Sequence, residues 1–334
     1  EILRHEVREF LSDALKDIPK ETRAETWYGA DENFSRKVGQ KGWIGLNWPK
    51  EHGGAGRSSM ERYVILEEML TAGAPVGAHW ISDRQSGPLI IRYGTEKHQK
   101  ELLPGILKGE SYFCIGMSEP DSGSDLAALR TKAEKKDDIY LVNGTKLWTS
   151  GAHRCQYMIA LFKTSQEEDR HGGFSQFIVD LSLPGVTIRP IIDLAGRHHF
   201  NEVIFEDVEV PKDMLIGTEG NGWNQVTAEL ALERSGPERY LSSYMLLQEL
   251  VSEFSNKNDD EGVTEIGRQM SHLTTLRQMS VSVAGMLDQG ENPALENGIE
   301  RTNNENEFDE GTKIEAEEIN IDQYLSDDET PSYK

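Results

Sequence analysis

The chain has 334 residues, 37% of them hydrophobic, with six Trp, ten Tyr and ten Phe, which is enough for two or three packed units. Its formal net charge of −23 disfavours nucleic acid as a partner, and no apolar run has the length needed to cross a bilayer. Nearly half of this charge lies in residues 291–334, which hold fourteen Asp/Glu and three Lys/Arg. Two cysteines, Cys114 and Cys155, are too few for a disulfide framework, which favours reduced thiols in a cytoplasmic protein.

The first part of the chain, residues 1–115, is predicted to form an N-terminal helical domain. Hydrophobic residues from Ile2 to Leu15 recur every three or four positions, a spacing that places them on one face of a helix. Two further helices are predicted around residues 63–70 and 97–107. Clustered glycines between the first two indicate a turn-rich connection.

Residues 116–217 are predicted to form a middle domain of β structure. Short runs of β-branched and aromatic residues alternate here with turn pairs such as Asn143-Gly144 and Pro184-Gly185. Six or so strands without intervening helices favour a small antiparallel β-barrel. The order of helices, then sheet, then helices excludes an alternating βαβ nucleotide-binding fold.

Helices are predicted again in residues 218–290, which would form a C-terminal helical bundle that is truncated or altered. Trp223, Val226 and Leu230 keep an apolar face in this region. Residues 291–334 are rich in Asn and Glu with few apolar residues, which is typical of a disordered tail. The fold class is therefore α+β, built from several domains.

The loop over residues 116–125 is the most informative segment for function. It is dense in Ser, Asp and Gly, so it offers backbone N–H groups and hydroxyls that can hold the polar edge of a planar ligand or the amides of a thioester. An ordinary acidic turn explains the composition equally well. Rossmann and P-loop glycine motifs are absent from the sequence. His198 and His199 lack a third ligand at metal-site spacing, so no metal is predicted.

Several motifs occur together along the chain in the order in which a known family carries them, and they favour a ligand-binding loop over an ordinary acidic turn. The 116–125 loop resembles the signature loop of the acyl-CoA dehydrogenase family, and the chain resembles a bacterial-type member with an atypical C-terminus. The similarity covers roughly residues 1–250. The other motifs that carry it are Gly42-Trp43 with Trp48-Pro49, Tyr93-Gly94-Thr95 with Leu102-Leu103-Pro104, Asn143-Gly144 with Lys146, Trp148-Thr149-Ser150-Gly151, Phe205-Glu206-Asp207-Val208 and Leu215-Ile216-Gly217.

The resemblance implies an activity and a cofactor. Members of the family use FAD to dehydrogenate an acyl-CoA thioester at its α and β carbons, which gives the trans-2-enoyl-CoA. Carried over by position, Met117 and Ser118 would contact the flavin ring, with Trp148 and Ser150 on its other side. Ser124 would hydrogen-bond the pantetheine of CoA. The alternative for Trp148 is a core-filling residue on a strand.

The catalytic base implied by the resemblance is Glu233, because Leu232-Glu233-Arg234 resembles the branch of the family that carries its base on the helix after the barrel. Arg234 would contact CoA. Since Pro237 has no N–H to donate to the carbonyl of Glu233, the helix is expected to kink at this carboxylate. The alternative is a surface carboxylate paired with an arginine. Glu229 and Glu238 are weaker candidates for the base.

Departures from the family pattern lie near the C-terminus. The polar loop 256–261 stands where the family carries an Arg-x-x-Phe-Gly motif that contacts the flavin diphosphate across a subunit interface. A second reading is therefore a non-catalytic or half-site subunit of a mixed complex, and a third is an acyl-CoA oxidase. The resemblance further implies a homotetramer or another homo- or hetero-oligomer, with an electron-transfer flavoprotein as electron acceptor. The acyl chain remains open among short, long, branched and sterol-side-chain thioesters.

Overall fold

A computed structural model describes residues 1–25, 28–233, 236–254 and 260–291. Arg234, most of the polar loop at 256–261 and all of the predicted tail beyond Glu291 lie outside the described residues. Within the described part of the chain, no helix combines the length and the apolar character that a membrane crossing requires.

Helices dominate both ends of the described chain, and a sheet lies between them, so the predicted order of elements is confirmed. Helix starts are set by side chains that accept from free backbone N–H groups. Asp31 accepts from Phe34 N, and Ser58 and Glu61 form a capping box. The helices are α1 (Ile2–Ala14), α2 (Lys20–Ala24), α3 (Glu32–Gln40), α4 (Ser59–Thr71), α5 (Gly77–Ile81), α6 (Gly87–Tyr93), α7 (Glu96–Leu107), α8 (Gly222–Glu233), α9 (Tyr244–Phe254) and α10 (Asp260–Asp288), with a π-helical turn at Ser82–Ser86.

The middle region forms one curled, seven-stranded sheet, as the predicted class requires. The strands are β1 (Phe113–Gly116), β2 (Lys132–Lys136), β3 (Ile139–Ser150), β4 (Tyr157–Lys163), β5 (Phe174–Asp180), β6 (Val186–Ile192) and β7 (His198–Pro211). Their order is β1-β4-β2-β3-β7-β6, and β5 pairs with β4. The sheet is not purely antiparallel, because β4 runs parallel to β1 and, at one position, to β2. The parallel pairing of β1 with β4 is possible because β2 and β3 lie between them in the chain. Parallel neighbours need a long connection of this kind.

Two large hydrophobic clusters hold these layers. One fills the helical region and extends onto the sheet through Phe113, Ile159 and Ile178. The other lies within the curled sheet. A third, small cluster joins Val226 of α8 to residues Leu161 and Phe174 of the sheet. Buried Gln225 adds a hydrogen bond from its Nε2 to the Ile216 carbonyl, at 3.0 Å. Helix α8 is therefore fixed against the sheet.

A partly buried ionic network joins α1, α4 and α10. Glu67 accepts from Arg4 at 2.5 Å and from Arg277 at 2.6 Å. It also accepts from the Tyr63 hydroxyl at 2.8 Å. That hydroxyl in turn hydrogen-bonds Tyr240. The network therefore ties the segment that follows α8 to the N-terminal helices.

Helix α8 is described as far as Glu233, and the residues that follow it, 234 and 235, lie outside the described part of the chain, so the kink expected at this carboxylate stays a prediction. The chain resumes as a 3₁₀ turn at Pro237–Arg239. Gly236 adopts φ 136°, a conformation that glycine tolerates and that lies outside the helical region. A Cβ at this position would lie 2.6 Å from a carboxylate oxygen of Glu238. The backbone conformation and the close approach of Glu238 therefore both favour glycine at position 236.

The ionic network yields a stability prediction. Replacing Glu67 with Gln removes the carboxylate that pairs with Arg277, while Arg4 keeps its second partner Glu68, and the loss of hydrogen bonds to a charged group costs about 2 kcal/mol. We expect Glu67→Gln to lower the free energy of unfolding by that amount in urea titrations followed by circular dichroism. Glu96→Gln removes an exposed carboxylate that pairs with Lys100, and it should leave the unfolding midpoint unchanged. Equal midpoints for the two variants would show that the network does not stabilise the fold.

Candidate functional site

The signature loop is attached to strand β3 by a buried ion pair. The Lys146 side chain is fully buried, and its ammonium donates to Glu119 Oε1 at 2.8 Å and to the Met117 carbonyl at 3.1 Å. Glu119 also accepts from the backbone N–H groups of Arg130 at 2.6 Å and Thr131 at 3.0 Å. The Glu119 carboxylate, which lies within the loop, thus receives donors from the segment after the loop and from strand β3.

Both members of this pair have displaced pKa values. Burial alone would raise the pKa of the Glu119 carboxyl, but the charge of Lys146 and the hydrogen bonds it accepts lower it below its ordinary value. Burial lowers the pKa of the Lys146 ammonium to about 8, although Glu119 opposes this shift. The pair is therefore ionised at neutral pH.

Trp148 combines an unusual backbone with an exposed side chain. Its φ is 59°, in the left-handed region that large side chains seldom adopt. It lies at an irregularity in the pairing of β3 with β7, between Lys146 and Thr149. Those two flanking residues are buried, whereas Trp148 is 56% exposed. The alternative that it fills the core is therefore wrong, and strain of this kind is characteristic of functional sites.

The structure brings the four predicted flavin contacts to one region of the sheet. The Leu147 N–H donates to the Ser118 carbonyl at 2.8 Å, so the loop lies directly beside the Trp148 bulge. Ser150 follows on the same strand, paired with Phe200 of β7. The Phe200 ring stands edge-on to the Trp148 indole at 5.9 Å. Met117, Ser118 and Ser150 are half-buried.

This arrangement fits a flat ring system with a polar edge. An exposed indole can stack on such a ring, and the bulge leaves backbone groups outside the regular ladder, where they can bond its edge. Ser118 and Ser150 add hydroxyls. These residues could therefore hold the isoalloxazine of FAD.

Ser124 and the end of α8 complete the set of predicted positions. Ser124 is exposed in the signature loop, beside Asp125, which pairs with Arg170. Glu233 is the last residue of α8, and its side chain and Arg234 belong to the part of the chain that the structure does not describe. Glu238, a weaker candidate for the base, is 1% exposed and paired with Arg84. Its carboxylate is therefore already engaged.

Sequence reasoning missed a cleft beside Ser150. A cavity of about 200 Å³ is lined by Ser150, Tyr28, Cys155 and His199, and a cavity of about 540 Å³ that also contains Arg197 adjoins it. Burial, followed by the charge of Arg154, lowers the pKa of His199 to about 4. The run Gly196-Arg197-His198-His199 was the available signal. Within the described chain, no three His, Cys, Asp or Glu residues are grouped to hold a metal.

Comparisons with known proteins decide the family. The N-terminal domain model of the acyl-CoA dehydrogenases matches residues 1–110, and the middle-domain model matches residues 114–208. Acyl-CoA dehydrogenase FadE29 of Mycobacterium tuberculosis is 37% identical over 268 residues, which cover 79% of this chain and 68% of that protein. The chain belongs to the acyl-CoA dehydrogenase family.

Other members of the acyl-CoA dehydrogenase family match over similar lengths. Acyl-CoA dehydrogenase IpdE1 of M. tuberculosis is 37% identical over 70% of this chain and 63% of its own length. Among solved structures, the Tcur3481-Tcur3483 steroid ACAD has a TM-score of 0.82 at 29% identity, covering 91% of this chain and 80% of that one. The ChsE4-ChsE5 complex from M. tuberculosis has a TM-score of 0.77 at 30% identity, covering 90% and 80%. The chain thus spans about two thirds of the curated relatives it matches.

The Lys146–Glu119 pair predicts a pH dependence of stability. Because the folded pKa of Glu119 lies below its ordinary value, 4.5, its contribution is complete above that pH and is lost as the pH falls. We expect Glu119→Gln to be less stable than the parent protein by about 2 kcal/mol at neutral pH. The difference should shrink as the pH drops below 4.5.

Urea titrations across this pH range measure the difference. Asp121→Asn is the matched control, because it removes an exposed carboxylate from the same loop. A difference between Glu119→Gln and the parent that stays constant with pH would contradict the ionised pair.

Proposed function

We propose that the chain catalyses the FAD-dependent α,β-dehydrogenation of an acyl-CoA thioester to the trans-2-enoyl-CoA. The observation that carries this proposal is the exposed, strained Trp148 beside the anchored signature loop, in a chain of this family. When bound, FAD supplies the acceptor for the hydride that leaves the β carbon.

The chain's own residues hold and orient the reactants. Trp148 and Ser150 lie against one side of the flavin site, and Met117 and Ser118 contact the ring from the loop. Ser124 bonds the pantetheine, for which its exposed position in the loop is suitable, and Arg234 contacts CoA.

Glu233 is the proposed base that removes the α-proton. As the proton moves to the carboxylate and the hydride leaves the β carbon, the remaining electron pair forms the α,β double bond. The base must therefore stay in one place relative to the sheet that carries the flavin contacts. Helix α8 meets this requirement through its packing against Leu161 and Phe174.

Glu233→Gln tests this assignment. The variant keeps the side-chain size but cannot accept the α-proton, and general bases contribute up to about 10⁴-fold. We expect it to retain FAD and to lose anaerobic bleaching by acyl-CoA by at least about a thousandfold. Glu229→Gln, one turn earlier on α8, should bleach within about twofold of the parent protein. Full bleaching by Glu233→Gln would rule it out as the base.

A second candidate function is a subunit of a mixed complex. Helices α9 and α10 expose apolar side chains in the single chain, and such patches suit a protein interface. These residues are Leu246, Leu250, Val251, Val263 and Met270, which are 40–63% exposed. A likeness at 30% identity to a ChsE4-ChsE5 complex supports pairing with a different subunit, and a homotetramer is the alternative. An electron-transfer flavoprotein is the proposed electron acceptor.

The colour of the purified chain separates these functions. A yellow protein that an acyl-CoA bleaches anaerobically acts alone as a dehydrogenase or oxidase, and oxygen consumption during turnover identifies the oxidase. A colourless chain that binds FAD only after a related subunit is added supports the mixed complex. We expect the yellow, oxygen-insensitive result for the main proposal.

A further inference from the structure

A cavity of about 300 Å³ opens between the N-terminal helices and α10, and it extends to the segment just after α8. Its apolar walls come from α4 and α10, and its rim includes the exposed residue Asn47. Gly236 and Pro237, at the start of the 3₁₀ turn, form another wall. The residues that line the cavity include Arg62, Arg84, Gly236, Pro237, Ser280 and Ala284.

Among the described lining residues, two ion pairs give this cavity polar walls whose charges are balanced. Arg62 donates to Asp83 at 2.9 Å, and Asp83 also accepts from the Gly45 N–H at 2.6 Å. Arg84 pairs with Glu238, and both side chains are almost completely buried. Since each arginine is balanced by a carboxylate, a further charged group would be buried without a partner, which is costly. The cavity therefore disfavours a charged ligand group.

Ser280 presents a buried hydroxyl to the cavity. It is 2% exposed, and its Oγ lacks a hydrogen-bond partner within the described chain. Other hydroxyls of α10 donate to the carbonyl four residues earlier, as Ser271 does to Gly267 at 3.0 Å and Thr274 to Met270 at 2.8 Å. Leaving a buried polar group unpaired destabilises a protein. The hydroxyl is thus available to a ligand that carries an oxygen.

The cavity lies close to the proposed base. Pro237 lines it and follows Glu233 by four residues, so the two Cα atoms are at most about 14 Å apart even along an extended chain. An acyl group whose α carbon lies at the base can reach the cavity with its far end.

We propose that this cavity receives the far end of the acyl group and favours acyl-CoA thioesters with an uncharged oxygen, a hydroxyl or a ketone, at that end. This inference rests on the proposed function, because Glu233 fixes where the acyl group begins. Ser280 exchanges hydrogen bonds with that oxygen, while the apolar side chains of α4 and α10 pack against the carbon chain.

The test compares kcat/KM of the flavin-loaded chain for ω-hydroxydodecanoyl-CoA, dodecanoyl-CoA and dodecanedioyl-CoA. A site with an unpaired hydroxyl discriminates against an analogue that lacks the matching group. We expect the hydroxy thioester to exceed both others by about tenfold, and Ser280→Ala to reduce this preference to within about twofold. Ser271→Ala, an exposed serine on the same helix, should keep the tenfold preference.

A second variant tests the location independently of the oxygen. Ala284→Phe fills the cavity, so the dissociation constant of ω-hydroxydodecanoyl-CoA in calorimetry should rise at least about tenfold. The dissociation constant of CoA itself should change by less than about twofold, which would also show that the variant is folded. Unchanged binding of the thioester would overturn the proposed location.

The outcomes separate this inference from the proposed function. If the parent protein oxidises the three thioesters at equal rates, or prefers the dicarboxylic one, the inference is wrong while the dehydrogenase function stands. If none of the thioesters bleaches the flavin, the proposed function itself fails, and the inference fails with it.

Discussion

The buried ion pair between Lys146 and Glu119 is the constraint on which the proposed flavin site depends. The Glu119 Oε1 atom lies 2.8 Å from the Lys146 ammonium, and the same carboxylate accepts from the backbone N–H groups of Arg130 and Thr131. Glu119 therefore attaches the signature loop to β3 and to the segment that follows the loop. The same ammonium holds the Met117 carbonyl. Because Lys146 immediately precedes the irregular stretch of β3, the pair places the loop beside Trp148. The desolvation of both charges is offset by these hydrogen bonds, so a displaced loop would leave buried charges without partners.

A second group of buried charges positions the other side of the site. Glu67 forms ion pairs with Arg4 and Arg277, and the hydroxyl of Tyr63 links this network to Tyr240 through a hydrogen bond. The chain between α8 and Tyr240 is consequently attached to the N-terminal helices, and Val226 attaches α8 to the sheet. The proposed base stands between these two attachments. The cavity that Pro237 lines begins on the same segment, so the proposed acyl recognition lies next to the proposed proton transfer.

The sequence predicted much of this architecture because the hydrophobic periodicity and the turn pairs are local signals. It predicted the helical ends, the β region between them and the position of the signature loop. It did not predict the parallel pairing of β1 with β4, since register between distant strands depends on long-range packing. It also predicts a kink at Glu233 from the missing N–H of Pro237, and this stays a prediction because residues 234 and 235 lie outside the described part of the chain. Lys146 was recognised only as part of a motif, because a partner 27 positions away cannot be identified from spacing alone.

The most direct test of the central claim is a structure of the chain with FAD and an acyl-CoA thioester bound. We predict that the isoalloxazine lies against Trp148 and Ser150, with Met117 and Ser118 at its edge. The thioester α carbon should lie within hydrogen-bonding reach of the Glu233 carboxylate, on the face of the ring that accepts the hydride. A flavin bound away from Trp148, or a Glu233 carboxylate directed away from the α carbon, would contradict the account.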